Sequence, residues 1–111
     1  MKILCAVVLL LFVGGIAPFS RVEAAVISGT VVRRISGCDY FMVQTGSDYA
    51  VLEWFGGNDP DKDDVLLGNF NSYGFKTFLY ADDEDKTSNL YVEEYGLNKT
   101  DALEQLIDYC D

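Results

Sequence analysis

Hydrophobic positions after residue 25 fall in short segments rich in β-branched and aromatic residues, and polar turn residues separate these segments. The strand segments lie at 25–35, 38–45, 49–55, 64–70, 73–81 and 89–95. Residues 71–74 are a turn, or a bend within one long strand. Since no helix separates the segments, the pattern predicts a mainly β sandwich or small barrel of five to six strands, and closing the sheet would remove its exposed edges.

Side chains within the third predicted strand divide between two faces. One face carries Ala50, Leu52 and Trp54. The other face carries Tyr49, Val51, Glu53 and Phe55. Gly29 interrupts the first strand, which predicts a bulge or a sharp bend there.

A change to helical spacing near the end of the chain predicts one C-terminal α-helix at residues 98–110. Asn98 can cap it, with Asp101 three residues later as in a capping box. The apolar residues then follow the i, i+3, i+4, i+7 rule of a buried face. They are Leu103, Leu106, Ile107 and Cys110.

The first 24 residues have the pattern of a cleaved secretory signal peptide: Lys2, an apolar run at 3–13, and small residues near 22–25. Gly14 and Gly15 interrupt the run before the roughly 20 apolar residues of a membrane span. We therefore expect an exported protein, periplasmic or secreted, whose single domain covers residues 25–111.

Two cysteines, Cys38 and Cys110, remain in the chain after removal of the signal peptide, which carries Cys5. An even pair in an exported domain predicts a disulfide. Two free thiols or a metal pair are the alternatives, but the chain has no histidine and two thiolates do not complete a zinc site. The predicted helix places Cys110 on its buried face, which independently favours the disulfide.

The charge is strongly acidic, at −10 for the whole chain. Signal cleavage would remove Lys2, Arg21 and Glu23, leaving 6 basic and 17 acidic residues, a net −11. This argues against nucleic acid and anionic membranes as partners. It permits a basic protein, metal ions, or solubility through self-repulsion, and we expect a monomer.

Two acidic runs concentrate the negative charge. The first is GNDPDKDD at 57–64, where Asp59, Asp61 and Asp63 alternate like the first ligands of a calcium loop. Asp64 stands where such a loop needs glycine and Phe70 where it needs glutamate, so only a looser, weak metal site remains. A solvated turn is the simpler interpretation. The second run, at 82–85, begins a segment, 82–88, that is expected to be a loop. The two runs would form a negative pole if they met.

The stretches GTVVRRI, DYFMV, WFGG and PDKDDVLLG resemble small periplasmic OB-fold proteins of bacteria. The similarity covers about half of the mature chain and excludes the C-terminal helix and both cysteines. It implies a five- to six-stranded OB-like barrel and a periplasmic setting, and the family has no catalytic residues to transfer. We expect no cofactor. Such barrels commonly bind ligands on strands 2 and 3. The candidate ligand face is Tyr40, Met42, Tyr49, Val51, Glu53 and Phe55.

Catalytic motifs are absent from the sequence: there is no histidine, no G-x-S-x-G and no phosphate loop. Glu53, Glu93 and Glu94 could serve a glycoside hydrolase, although strand glutamates facing water are the simpler interpretation. We expect a non-enzymatic acidic binding module that recognises a basic protein or a small periplasmic ligand. A calcium-binding module and a small hydrolase are the alternatives.

Overall fold

The computed structural model describes residues 26–111, and the predicted signal peptide lies outside them. Six strands form a closed barrel, followed by one helix, α1. The strands are β1 (Ile27–Arg34), β2 (Tyr40–Thr45), β3 (Asp48–Gly57), β4 (Val65–Gly68), β5 (Gly74–Tyr80) and β6 (Asp83–Leu97), and α1 is Lys99–Cys110. The predicted mainly β barrel with a C-terminal helix is confirmed.

The strand order around the barrel is β1-β2-β3-β6-β5-β4, and β4 returns to pair with β1. Every neighbouring pair is antiparallel. Two-residue loops join β2 to β3 and β5 to β6. Residues 58–64 carry the chain from β3 across one end of the barrel to β4. This end is where the first acidic run lies.

The barrel interior is filled by side chains that alternate along each strand. Ala50 and Leu52 are fully buried there and Trp54 packs against them, which confirms the face predicted for β3. The buried cluster consists of Val31, Phe41, Val43, Ala50, Leu52, Leu66, Phe70, Phe78, Tyr80, Leu90 and Val92. Because this packed core occupies the inside of the barrel, contact surfaces for partners must be sought on its outside and at its ends.

Helix α1 packs across the outer face of β2 and β3 and forms a second apolar cluster there. Ala102 and Leu106 of the helix are buried against Met42 and Val51. The prediction for Ile107 was wrong, because this side chain is 51% exposed. The helix is rotated so that Ala102, rather than Ile107, joins Leu106 on the buried side. The predicted cap is present, with the Asp101 amide donating to Asn98 Oδ1 at 2.8 Å.

The predicted disulfide is confirmed: Cys38 and Cys110 are bonded, with their Cα atoms 5.5 Å apart. It ties the connection between β1 and β2 to the last residue of α1. Beside it, the rings of Tyr40 and Tyr109 stack with centroids 4.6 Å apart. The C-terminal end of the helix is therefore held both covalently and by ring packing.

Two local expectations were wrong. Strand β6 begins at Asp83, so most of the second acidic run is strand rather than loop. The irregularity in β1 lies between Val31 and Arg33 rather than at Gly29. Gly29 instead meets a steric demand, since a Cβ there would lie 2.8 Å from Cζ of the buried Phe70. Its small size allows the ring to approach the backbone.

Candidate functional site

The two acidic runs meet at one end of the barrel. The amide of Ala81 donates to the carbonyl of Val65 at 2.9 Å, joining the β5–β6 turn to the start of β4. A cleft of about 280 Å³ lies between them, lined by Asp63, Asp64 and Asp82 with these two residues. We name the eight carboxylates of residues 59–64 and 82–85 the negative pole. Lys62 lies within the first run and Lys86 directly follows the second.

The first run is held in place mainly by its backbone. The amide of Asp63 donates to Val31 O at 2.8 Å, and the amide of Val31 donates to Asp64 O at 2.9 Å, so the run extends the edge of β1. The Asp61 amide donates to Asp64 Oδ2 at 2.8 Å and closes a turn. Asp63 has a positive φ of 77°, a conformation that aspartate tolerates better than most residues. The end of GNDPDKDD is therefore an ordered segment that continues the pairing of β4 with β1.

Two of the three carboxylates proposed as a weak metal site are paired with separate cations. Asp59 forms an ion pair with Arg34 at 2.9 Å, and Asp63 contacts Lys62 at 3.3 Å. Within residues 26–111, no group of three or more candidate ligand side chains is arranged to hold a metal ion. Asp59, Asp61 and Asp63 are thus close in sequence without converging on one point.

Two polar atoms are buried at this end of the barrel without a hydrogen-bond partner among the described residues. They are Nη1 of Arg34 and the hydroxyl of Tyr80. Burial, followed by the charges of Asp64, Asp59 and Asp61, raises the pKa of Tyr80 to about 12. Lys86 lies over the Tyr80 ring, with Nζ 4.5 Å from the centroid. The negative pole thus acts electrostatically on the core below it.

The ligand face predicted on β2 and β3 is largely covered, and this expectation needs correction. Met42 and Val51 are buried beneath α1, and Tyr40 and Tyr49 pack against the same cluster. The C-terminal helix, which lies outside the OB-type pattern, takes the place where a ligand would sit. Of the six candidates, Phe55 has an exposed side chain, at 53%.

Phe55 belongs to a different surface, on the outer side of β3, β6 and β5. Its ring lies 4.8 Å from that of Phe75 on β5, at an interplanar angle of 77°. Phe75 in turn lies 4.7 Å from Tyr91 on β6, at 81°. We name Phe55, Phe75 and Tyr91 the aromatic face. Phe75 is 67% exposed, so these rings pack on one another while remaining open to solvent.

Two glutamates adjoin the aromatic face. Glu53 is the register partner of Tyr91 across β3 and β6, and it also pairs with Tyr40 on β2. Burial, the charge of Glu53 and a hydrogen bond with Glu53 raise the pKa of Glu93. Burial and a hydrogen bond to Glu53 raise the pKa of Tyr40 to about 12. We name Glu53 and Glu93 the carboxyl pair.

Glu53 and Glu93, two of the glutamates considered for glycoside chemistry, lie on the neighbouring strands β3 and β6. The charge of Glu53 acts on Glu93. A small hydrolase stays a prediction.

The aromatic face was missed from the sequence, except for Phe55. Its signal is the alternation of strands: Tyr91 stands between Leu90 and Val92, both in the core, so its side chain must point outward. Phe75 is likewise out of phase with the buried Phe78 on β5. Which outward rings meet depends on the pairing of β6 with β3 and β5, which the sequence does not reveal.

A scan against protein-family models, a search of curated proteins and a search of solved structures each found no match to this chain. The resemblance to periplasmic OB-fold proteins is therefore supported at the level of a small closed barrel. In the part of the chain that the structure describes, no helix is long and apolar enough to cross a membrane.

Proposed function

We propose that this protein is an exported, non-enzymatic binding module that recognises a basic protein partner. The observation that carries the proposal is the meeting of two acidic runs, 18 residues or more apart in sequence, at one end of a closed barrel. Eight carboxylates there are accompanied by Lys62 within the first run and by Lys86 directly after the second. A concentrated field of one sign accelerates and orients the approach of a partner of the opposite sign.

Export is part of the proposal, and two features support it. The first 24 residues have the pattern of a signal peptide, and the domain carries a disulfide of the kind that persists in oxidising compartments. Kinship with periplasmic OB-fold proteins is also proposed, on the strength of the barrel and this leader. Mass spectrometry of the protein from the periplasm or medium should find a chain that starts near residue 25.

The test of charge-led recognition is binding to a lysine decapeptide, measured by calorimetry at low and at physiological salt. We expect binding that weakens steeply as salt rises, because surface charges are screened within about 8 Å at physiological ionic strength. The variant Asp82→Asn/Glu84→Gln/Asp85→Asn should weaken binding about tenfold at low salt. It leaves Asp83, whose side chain accepts from the Asp85 amide, in place.

The matched control removes the same charge from the exposed surface of α1 and the C-terminus, as Glu104→Gln/Asp108→Asn/Asp111→Asn. It should weaken binding much less than the variant of the negative pole. Equal losses in the two variants would mean that only net charge matters and would contradict recognition at the pole. No binding to the peptide at low salt would contradict the proposal as a whole.

The natural partner is sought by pull-down from the periplasmic fraction or the medium, repeated at high salt. We expect basic proteins that are released as salt rises. A partner that is retained unchanged at high salt would contradict recognition led by charge.

A further inference from the structure

The aromatic face is an apolar surface that the fold leaves uncovered. Helix α1 covers the part of the outer side of β2 and β3 around Met42 and Val51, whereas Phe55 on β3 and Phe75 on β5 remain 53% and 67% exposed. Rings of this size contribute strongly to interfaces, and exposed groups of them mark interaction sites. Their mutual distances, 4.7 to 4.8 Å for the two closest pairs, make them one continuous surface.

Carboxylates lie directly beside these rings. The register places Phe75, Tyr91 and Glu53 in one row across β5, β6 and β3. Neighbouring strands are about 4.8 Å apart, so the row spans roughly 10 Å. Glu93 lies two residues from Tyr91 on β6, close enough to Glu53 for the charge of Glu53 to raise its pKa. A single extended segment of a partner could therefore touch both the rings and the carboxyl pair.

We propose that the aromatic face is the docking surface for an arginine-bearing segment of a basic partner. The inference rests on the proposed function and adds the identity of the side chain that is recognised. A guanidinium group stacks on aromatic faces and bonds carboxylates with its planar fork, whereas an ammonium group is more strongly hydrated and bonds as a point charge. Rings adjoining a carboxyl pair offer both kinds of contact to arginine.

Charge decides against the other occupants of such a surface. A second copy of this chain also carries −10, and a two-fold interface through the aromatic face would bring two carboxyl pairs towards each other. Burying like charges in that way opposes association. An anionic lipid surface is repelled by the same net charge. A cationic segment is attracted by the negative pole at long range and by the carboxyl pair at contact.

The test compares two probes of equal length and charge, an arginine decapeptide and a lysine decapeptide, by calorimetry at physiological salt. Wild type should bind the arginine peptide about fivefold more tightly. In Phe55→Ala/Phe75→Ala the preference should disappear, while lysine-peptide binding stays near the wild-type value. The control Ile107→Ala removes another exposed apolar side chain, on α1, and should keep the preference.

The variant Phe55→Tyr/Phe75→Tyr retains the rings and should retain the preference, which separates loss of the surface from loss of the fold. Neutralising the pole with Asp82→Asn/Glu84→Gln/Asp85→Asn should weaken both peptides and leave their ratio unchanged. Equal binding of the two peptides to wild type, or a preference that survives the alanine double variant, overturns this inference alone. If neither peptide binds, the proposed function fails with it.

The remaining outcomes concern other occupants. A dimer of wild type in sedimentation experiments that is lost in Phe55→Ala/Phe75→Ala would overturn the proposal in favour of a second copy. Binding to neutral phosphatidylcholine vesicles that is lost in the same variant would overturn it in favour of a lipid surface. We expect a monomer and no vesicle binding in either experiment.

Discussion

Glu93 is a side chain whose pKa is raised by its buried and acidic surroundings. Burial and the neighbouring Glu53 raise its pKa above the ordinary value of 4.5, so the folded protein keeps this proton to higher pH than the unfolded chain does. The proton on Glu93 stabilises the folded protein, and this stabilisation is complete below the pKa that Glu93 has in the unfolded chain. It is lost as pH rises through the raised folded pKa, where the carboxyl pair becomes doubly charged.

Glu93→Gln should therefore raise the melting temperature by about 2 °C near pH 7, with solvent screening keeping the effect modest. The gain should vanish at about pH 4, where wild-type Glu93 is already neutral. Glu104→Gln on the exposed surface of α1 removes the same charge and should give a smaller gain at neutral pH. A gain from Glu93→Gln that is equal at both pH values would contradict the raised pKa of Glu93.

Gly68 is a second residue whose role depends on its neighbours. A Cβ added there would overlap the ring of Phe78, which is fully buried in the barrel. Gly68→Ala should lower the free energy of unfolding by about 1–3 kcal/mol in urea titrations, because a packed core absorbs added volume poorly. Gly56→Ala is the matched control, since its nearest contact would be Nδ2 of Asn89 at 3.7 Å, and it should cost much less.

At the scale of elements, α1 works as a cover for an apolar sheet face. It buries Met42 and Val51, and the disulfide closes its far end onto the β1–β2 connection. The cysteines are 72 residues apart, so the bond encloses most of the domain in one loop. Its loss should thus affect the helix first and the stability of the whole domain as well.

The double variant Cys38→Ser/Cys110→Ser should lose about 4 kcal/mol of unfolding free energy on the chain-entropy model. The helix should loosen from β2 and β3, exposing the second apolar cluster to the dye ANS. Wild type treated with reductant should behave in the same way, whereas the serine variant should not respond to reductant. Finding two free thiols in the native protein would contradict the disulfide itself.

At the scale of the molecule, charge is the dominant feature. The negative pole gathers carboxylates from 59–64 and 82–85 at one end, and their repulsion is only partly relieved by Arg34, Lys62 and Lys86. Such a pole attracts cations without selecting among them, because its carboxylates do not converge on one point. The response of the melting temperature to added ions distinguishes a diffuse negative field from a specific metal-binding site.

We expect calcium to raise the melting temperature no more than magnesium does at equal concentration. Sodium chloride should also raise it, because salt screens the repulsion between the carboxylates. EDTA treatment should leave the melting temperature unchanged. A saturable shift given by calcium and not by magnesium would contradict the diffuse field and revive a calcium site at Asp59, Asp61 and Asp63.

Much of the fold could be predicted from the sequence because its signals are local. Runs of β-branched and aromatic residues between turn residues indicated five to six strands, and Asn98 with Asp101 marked the start of the helix. Residues 82–88 were misassigned because four adjacent acids look like a loop. They form strand because β5 and β6 share a tight hairpin whose acidic edge stays in solvent. Ile107 was misplaced because the rotation of a helix depends on the surface that it meets.

The candidate site could be predicted only in part. Phe55 was chosen for the ligand face, but Phe75 and Tyr91 were not, since they come from strands brought together by pairing over long separations. Met42 and Val51 were chosen for exposure and are covered by α1. No local pattern states which face of a sheet a helix will bury.

The sequence by itself determined the type of most elements, the acidic charge and the pairing of its two cysteines, because residue spacing, composition and an even number of cysteines are properties of the chain alone. Only the tertiary structure decided which surfaces are open. GNDPDKDD lies at one end of the barrel and forms half of the negative pole, since it pairs with β1 there and meets the β5–β6 turn. The aromatic face exists because strand register aligns rings from three separate segments, and register is a property of the closed barrel.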